Sequence, residues 1–239
     1  MCGRFFIAAE PVAQMVMGLS GLTYQGSDAY NMAPTETVEV LRRDSQGALE
    51  LVPMRWWLTP SWAKTRTTKY AMFNARCETA AGSPAFKLPY RTQRCVVPIS
   101  GFYEWCKINS QKLPFLIRPE FDSGMLLAGL WDSWRDPRLQ LEHLSFTILT
   151  TSAHAQMAHI HGRQPVMLSP DSACAWLDTS QPTDCLTTLF DSVIPVSLQV
   201  VPVASYVNNT NHADQRCVEA VGPAVSVSPS NVSADPSVG

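Results

Sequence analysis

Arg94-Cys95-Val96-Val97-Pro98-Ile99-Ser100-Gly101-Phe102-Tyr103-Glu104-Trp105-Cys106-Lys107-Ile108 decides the fold class. Its two apolar, β-branched and aromatic runs, 94–99 and 102–108, are parted only by Ser100-Gly101 and read as strands. Outward from them the same texture repeats, at 114–117, 125–131, 144–151, 165–168 and 198–203 downstream and at 3–7, 37–42 and 49–58 upstream. Gly, Pro, Asp, Asn and Ser separate these runs, as they separate the strands of a barrel or sandwich. Helical pattern is short: 11–19, with Pro near its start, then 75–81, 154–159, 171–177 after Ser169-Pro170, and 183–190. Strands that do not alternate with long helices argue against a doubly wound α/β fold. The expectation is α+β: a single domain with a curved, mainly antiparallel, barrel-like sheet and a few short helices. A length of 239 residues suits that one domain. Residues 222–239 are rich in Pro, Ser and Val, without aromatic or basic residues, and read as a disordered tail behind a folded unit of 1–221.

The overall charge is nearly balanced, 18 basic against 20 acidic residues. The distribution is not. Between Met54 and Arg118 stand eleven basic residues (Arg55, Lys64, Arg66, Lys69, Arg76, Lys87, Arg91, Arg94, Lys107, Lys112, Arg118) and only two acidic ones, Glu78 and Glu104. The same stretch holds half of the chain's 22 aromatic residues. Cations that attract phosphates, interleaved with rings that stack bases, are the ingredients of a single-strand nucleic-acid groove. The plainer alternative is a core of aromatics under a solvated charged face. Trp56 and Trp57 are adjacent, so on a strand they point to opposite sides.

Seven cysteines, with no CxxC pair and an odd count, suit neither a zinc site nor a disulfide framework. Reduced thiols in a cytoplasmic setting follow, nucleoid-associated if the source is bacterial. Glu10 and Pro11 break the apolar start, which argues against a signal peptide. No run approaches the roughly 18 apolar residues of a membrane span, so no membrane partner is expected.

Four places can carry chemistry. Cys2, once Met1 is removed, has a free α-amine (typical pKa about 7.7–8.0) beside its thiol (about 8.5), both with nucleophilic forms near neutrality. This 1,2-aminothiol condenses with an aldehyde to an imine, and the sulfur then closes a thiazolidine, which an internal cysteine cannot do. Position alone equally fits an incidental buried cysteine. Glu104, between aromatics, is either paired with an arginine or tuned for proton transfer. His161 follows His159, but no carboxylate or cysteine has suitable local spacing, so a metal site is not expected. Asn74 and Arg76 suit orienting a substrate and holding a phosphate.

Six motifs occur in order: Met1-Cys2-Gly3-Arg4-Phe5, Tyr30-Asn31-Met32-Ala33-Pro34-Thr35, Asn74-Ala75-Arg76-Cys77-Glu78-Thr79, Arg94-Cys95-Val96-Val97-Pro98, Gly101-Phe102-Tyr103-Glu104-Trp105 and His161-Gly162-Arg163-Gln164-Pro165. Together they resemble the SOS response-associated peptidase family, from Met1 to about Val221. The resemblance implies a mixed α+β domain, acting as a monomer, that binds single-stranded DNA and links covalently to abasic sites without metal or organic cofactor. It implies Cys2 as nucleophile, with Asn74, Glu104 and His161 as the other active-site residues. It also implies DNA contacts at Arg4, Trp62, Arg76, Trp105 and Arg163, and peptidase action on Met1. Gly162 and Gln164 depart from the family's usual acidic residue or Asn, and its Met or Arg, at those places, which puts the surroundings of His161 in question.

Two other classes remain open on the residues alone. Class II glutamine amidotransferases also begin Met-Cys-Gly and use an N-terminal cysteine on an amide. Nothing here resembles their glutamine-binding stretches, and a glutaminase assay separates the two. A non-catalytic reader of modified or single-stranded DNA is the other, and mass spectrometry after incubation with abasic DNA tests it.

Overall fold

The structure, a computed structural model, describes residues 2–121 and 123–229. In chain order the elements are β1 (Phe5–Ile7), α1 (Ala9–Ser20), β2 (Ala29–Met32), β3 (Thr37–Arg43), β4 (Leu49–Trp56), β5 (Asn74–Arg76), α2 (Cys77–Ala80), α3 (Lys87–Thr92), β6 (Arg94–Ile99), β7 (Gly101–Ile108), β8 (Gln111–Pro119), β9 (Met125–Arg135), β10 (Glu142–Ser152), β11 (Arg163–Pro165), β12 (Met167–Leu168), α4 (Pro170–Leu177), β13 (Leu198–Pro202) and β14 (Val225–Val227), with 3-10 turns at Thr183–Phe190, Ser205–Asn208 and Gln215–Val218.

Five strands close on themselves. β3 pairs antiparallel with β4 and β6, β6 with β9, and β9 with β10. The parallel pairing of β10 with β4, Ser145 opposite Arg55 and Phe146 opposite Trp56, completes the ring. Alternation along each strand then sorts side chains between inside and outside. Val38, Val40, Met54, Trp56, Cys95, Val97, Leu127, Phe146 and Ile148 belong to one buried cluster. Leu41, Val96, Leu126, Ala128, Leu130 and Leu149 belong to another, packed with Tyr90 of α3 and Trp176 and Leu177 of α4. Both faces of β6 are covered, which is why its six residues are all buried and why Cys95–Ile99 is an unbroken apolar run; Arg94, at its start, is buried with its guanidinium donating to the Tyr90 and Asp178 carbonyls at 3.0 and 3.2 Å. Trp56 is fully buried in the first cluster, whereas Trp57, just past the end of β4, is only partly buried and packs against the second.

A second, antiparallel sheet runs β14-β13-β8-β7-β1-β2. The chain crosses from barrel to second sheet at Ser100-Gly101, the junction between β6 and β7. Ser100 fastens it, accepting from the Ala8 amide at 2.7 Å and donating its own amide to Phe6 at 2.9 Å. Gly101 is required by close approach: a Cβ there would meet the Ile117 carbonyl oxygen and a Phe6 ring carbon, both at 2.7 Å. The mixed α+β architecture with a closed, curved sheet is therefore as the sequence suggested.

Several boundaries differ. Residues 74–76 are strand, paired parallel with β10, and the helix expected from 75 starts only at Cys77. Parallel pairing of Ala75 with Leu149, 74 residues away in sequence, outweighs the local helical pattern. The stretch 154–159 is turns rather than helix, with the His154 amide donating to Oε1 of buried Gln164 at 2.8 Å. β2 and α3 were not legible as runs. The boundary at 221 was too early: Val225–Val227 pairs with Val200–Leu198 on β13 and extends the second sheet. Residues 230–239 of the expected tail lie outside the described residues. No helix among the described residues is long and apolar enough to cross a membrane.

Candidate active site and nucleic-acid interface

Cys2 lies three residues before the start of β1, the strand that joins β7 in the second sheet while packing against the barrel interior. It is fully buried and belongs to the same cluster as Phe5 and Trp56, whose rings lie 4.6 Å apart. Its carbonyl accepts from Asn74 Nδ2 at 2.7 Å. Asn74 opens β5, and the parallel pairing of β5 with β10 fixes its place. That hydrogen bond settles which way the amide faces, and Asn74 Oδ1 is buried without a hydrogen-bond partner among the described residues. Burial pushes the Cys2 thiol well above its ordinary pKa, and the Glu104 carboxylate adds to the rise.

Glu104 is buried on β7, opposite Phe115 of β8. With His161, Arg4, Trp105, Lys112 and Asn208 it lines a cleft of about 560 Å³. Glu104 and His161 also share an inner recess with Arg163 and Gln164. His161 follows the turns after β10, and its ring is oriented through Nδ1, 3.0 Å from the Arg163 amide. The unusual Gln164 builds this corner: fully buried, it accepts from His154 and donates to the Val193 carbonyl at 3.2 Å. At Gly162 a Cβ would meet nothing within 4 Å, so glycine is not required there.

The arginines divide by what already holds them. Arg4 Nη1 donates to Asn31 Oδ1 at 2.7 Å and to the Val207 carbonyl at 3.0 Å, and the guanidinium sits 5.8 Å from the Trp105 ring centre. Arg163 makes a two-pronged pair with Glu78, at 2.7 and 2.9 Å, and also donates to the Thr150 carbonyl. That pair holds the Glu78 carboxyl below its ordinary pKa. Arg76 ends β5 exposed, with no ion pair among the described residues. Trp105 donates its indole Nε1–H to Asn208 Oδ1 at 2.7 Å. Trp62 is 66% exposed on the loop after β4, its Nε1 donating to the Pro84 carbonyl at 3.3 Å, and does not line the cleft of Glu104 and His161.

Three site neighbours escaped the sequence reading. Asn31 is buried and clamps Arg4 to the 207–212 loop, with Nδ2 donating to the carbonyls of Asn209 at 3.1 Å and His212 at 2.6 Å. Its only signal was membership of the Tyr30–Thr35 motif. Lys112 was hidden in the basic block, and Asn208 carried no signal. A separate apolar cavity of about 370 Å³, between α1 and the start of β9, has no titratable side chain among the described residues that line it. Among the described residues no three His, Cys, Asp or Glu side chains gather as a metal site. All seven cysteines are free.

A closed barrel flanked by a second sheet, with a cysteine at position 2 buried beside an amide and a cleft holding a carboxylate and an imidazole, defines a class as well as a fold. The family model described as SOS response associated peptidase (SRAP) matches residues 1–210, and the chain belongs to that family. It is 29% identical over 225 residues to the abasic site processing protein YoqW of Bacillus subtilis, covering 92% of this chain and all of that one. It is 30% identical over 241 residues to the abasic site processing protein HMCES of Xenopus tropicalis, covering 86% and 71% of the two chains. Among solved structures, a phage-related protein of Bordetella bronchiseptica superposes with a TM-score of 0.68 at 28% identity, over 84% of this chain and 94% of that one. A protein from Bacteroides thetaiotaomicron shares the fold, with a TM-score of 0.73 at 20% identity, over 91% and 98%.

Proposed function

We propose that the protein binds single-stranded DNA and joins itself to abasic sites through a thiazolidine at Cys2, exposed by removal of Met1, so shielding the lesion in the DNA damage response. The observation that carries this reading is the linkage of four distant segments: Asn74 holds the Cys2 carbonyl, the Glu104 charge acts on the Cys2 thiol, and Glu104 shares its cleft with His161. The relatives named abasic site processing proteins support the choice of substrate.

The buried, protonated thiol supports an order in which the amine reacts first. His161 protonates the ring oxygen as the closed abasic sugar opens to its aldehyde. The Cys2 amine adds to C1′, and the carbinolamine loses water to give an imine, with Glu104 moving the protons. The thiol then adds across the C=N bond: sulfur bonds to C1′, and the thiol proton passes by way of Glu104 to the nitrogen. One water is lost in all. Asn74 Oδ1, without another partner among the described residues, is the acceptor for the α-amine and orients it. Arg76 holds a phosphate, Trp105 offers a stacking face, and Trp62 extends the strand's path. Arg4 and Arg163, already held by Asn31 and Glu78, shape the cleft walls and lend it positive potential. The same Cys2, Glu104 and His161 can assist removal of Met1, although an ordinary methionine aminopeptidase accepts so small a second residue.

Intact-mass analysis and denaturing gels after incubation with single-stranded abasic DNA test the reading. A denaturation-stable adduct is expected from the unblocked protein only. Protein with an uncleavable blocked N-terminus gives none, and Cys2→Ala gives only a borohydride-trappable Schiff base. A stable adduct from the blocked protein, or one mapped to Cys77 or Cys95, overturns it.

A further inference from the structure

The segment from Trp57 to Phe73, between β4 and β5, is a loop buried at residues 58–60 and 72 and largely exposed over 61–71, and it is braced as a platform. Its first half is tied to the barrel: the Thr59 amide donates to Ser145 Oγ and the Ser61 amide to Asp132 Oδ2, both at 2.8 Å, and the Trp134 indole donates to the Ala63 carbonyl at 2.7 Å. Its second half is tied to the first, with Thr59 Oγ1 donating to the Arg66 carbonyl at 3.0 Å and the Trp57 indole to Thr68 Oγ1 at 2.9 Å.

What the platform presents is unlike an ordinary solvated turn. Tyr70 is 71% exposed, with the Lys69 ammonium 6.0 Å from its ring centre. Arg66 stands close enough to Arg55 to disfavour that residue's charge, adding to the effect of burial. Among the described residues no ion pair involves Arg55, Lys64, Arg66 or Lys69. Asp132, the carboxylate that touches the loop, accepts from the amides of Ser61 and Ser133 and from Gln93 instead. Cations held near one another without a counter-ion favour an anion from outside. An exposed aromatic face among them favours a nucleic-acid strand over an acidic peptide. Tyr70 precedes Asn74 by four residues, at most about 14 Å of chain, or about four nucleotides of stacked strand at about 3.4 Å each.

We propose that the 64–70 loop is a second nucleic-acid surface, which binds the strand a few nucleotides away from the lesion, with Tyr70 stacking a base and Arg55, Arg66 and Lys69 meeting phosphates. The proposal rests on the abasic-site reading, and its test is built to separate the two. Lesion-free single-stranded oligonucleotides of about 5 and about 20 nucleotides are titrated by fluorescence anisotropy against wild type, Tyr70→Ala and Arg66→Ala, bracketing a typical single-strand site. Cross-linking to the same two lengths carrying a central abasic site is followed in parallel. Tyr70→Ala is expected to weaken binding of the long strand about 5- to 150-fold, the range for loss of one base stack. Arg66→Ala should lower the slope of log K against log salt by about 0.7. On the short abasic strand both variants should cross-link at the wild-type rate. Wild-type affinity of both variants for the long strand overturns the proposal and leaves the cations to some other anionic partner. Failure of wild type to form any adduct overturns the chemistry at Cys2, while the lesion-free titrations still decide the loop.

Discussion

Asn31→Leu probes the clamp that holds Arg4 beside Cys2. The side chain is buried, Oδ1 accepts from Arg4 Nη1 at 2.7 Å, and Nδ2 donates to the Asn209 and His212 carbonyls at 3.1 and 2.6 Å. A third carbonyl, Val207, also receives Arg4 and so keeps a donor. Leucine nearly matches the shape, so the change removes hydrogen bonds without opening a large cavity. Two neutral bonds at about 1 kcal/mol each and one charge-assisted bond at about 1.5–3 kcal/mol give a loss of about 4 kcal/mol. Against a total stability of about 5–15 kcal/mol, the variant should still fold. With a urea slope of about 2–3 kcal/mol/M, the unfolding midpoint should fall by about 1.3–2 M. Because Arg4, Trp105 and the 207–212 loop line one wall of the cleft, cross-linking should slow even at urea concentrations where the variant is fully folded. A midpoint shift below about 0.3 M, with wild-type cross-linking, would show that the clamp does not organise this wall of the cleft.

Other outcomes follow from single contacts. Glu78, held low by Arg163, contributes stability that is complete above its unfolded pKa of about 4.3 and is lost as pH falls through its lower folded value. Glu78→Gln should therefore lower the urea midpoint at pH 7 and match wild type in strong acid; an equal deficit at both ends contradicts that linkage. Gly101→Ala places a methyl 2.7 Å from the Ile117 carbonyl, so the barrel-to-sheet crossing must shift, and thermal unfolding should show a loss of about 1–3 kcal/mol. His161→Ala should slow cross-linking to a closed-ring abasic site by about 10²–10⁴-fold and much less to a preformed open aldehyde. Glu104→Gln should slow both, together with reversal of the link; equal defects for His161→Ala on the two substrates refute the ring-opening role.

The strands were legible where a side-chain period or an unbroken apolar run announces burial, as at Cys95–Ile99, and so was the break between two strands at Ser100-Gly101. Cys2, Asn74, Glu104 and His161 were legible as residue types within motifs, since an N-terminal aminothiol or a carboxylate among aromatics is unusual on its own. Tertiary contacts decided the rest. Closing the barrel takes the parallel pairing of β10 with β4, between residues about ninety positions apart that carry no mark of each other. That Arg163 is spent on Glu78, Arg4 on Asn31, and Gln164 on His154 and Val193 depends on donors and acceptors brought together only by folding. Val225–Val227 reads as tail by composition, yet it pairs, because the open edge of β13 offers backbone hydrogen bonds that composition does not record. Sequence specifies which groups exist and their local periodicity; only the fold determines which buried polar groups find one another, because that depends on distances between segments the chain brings together last.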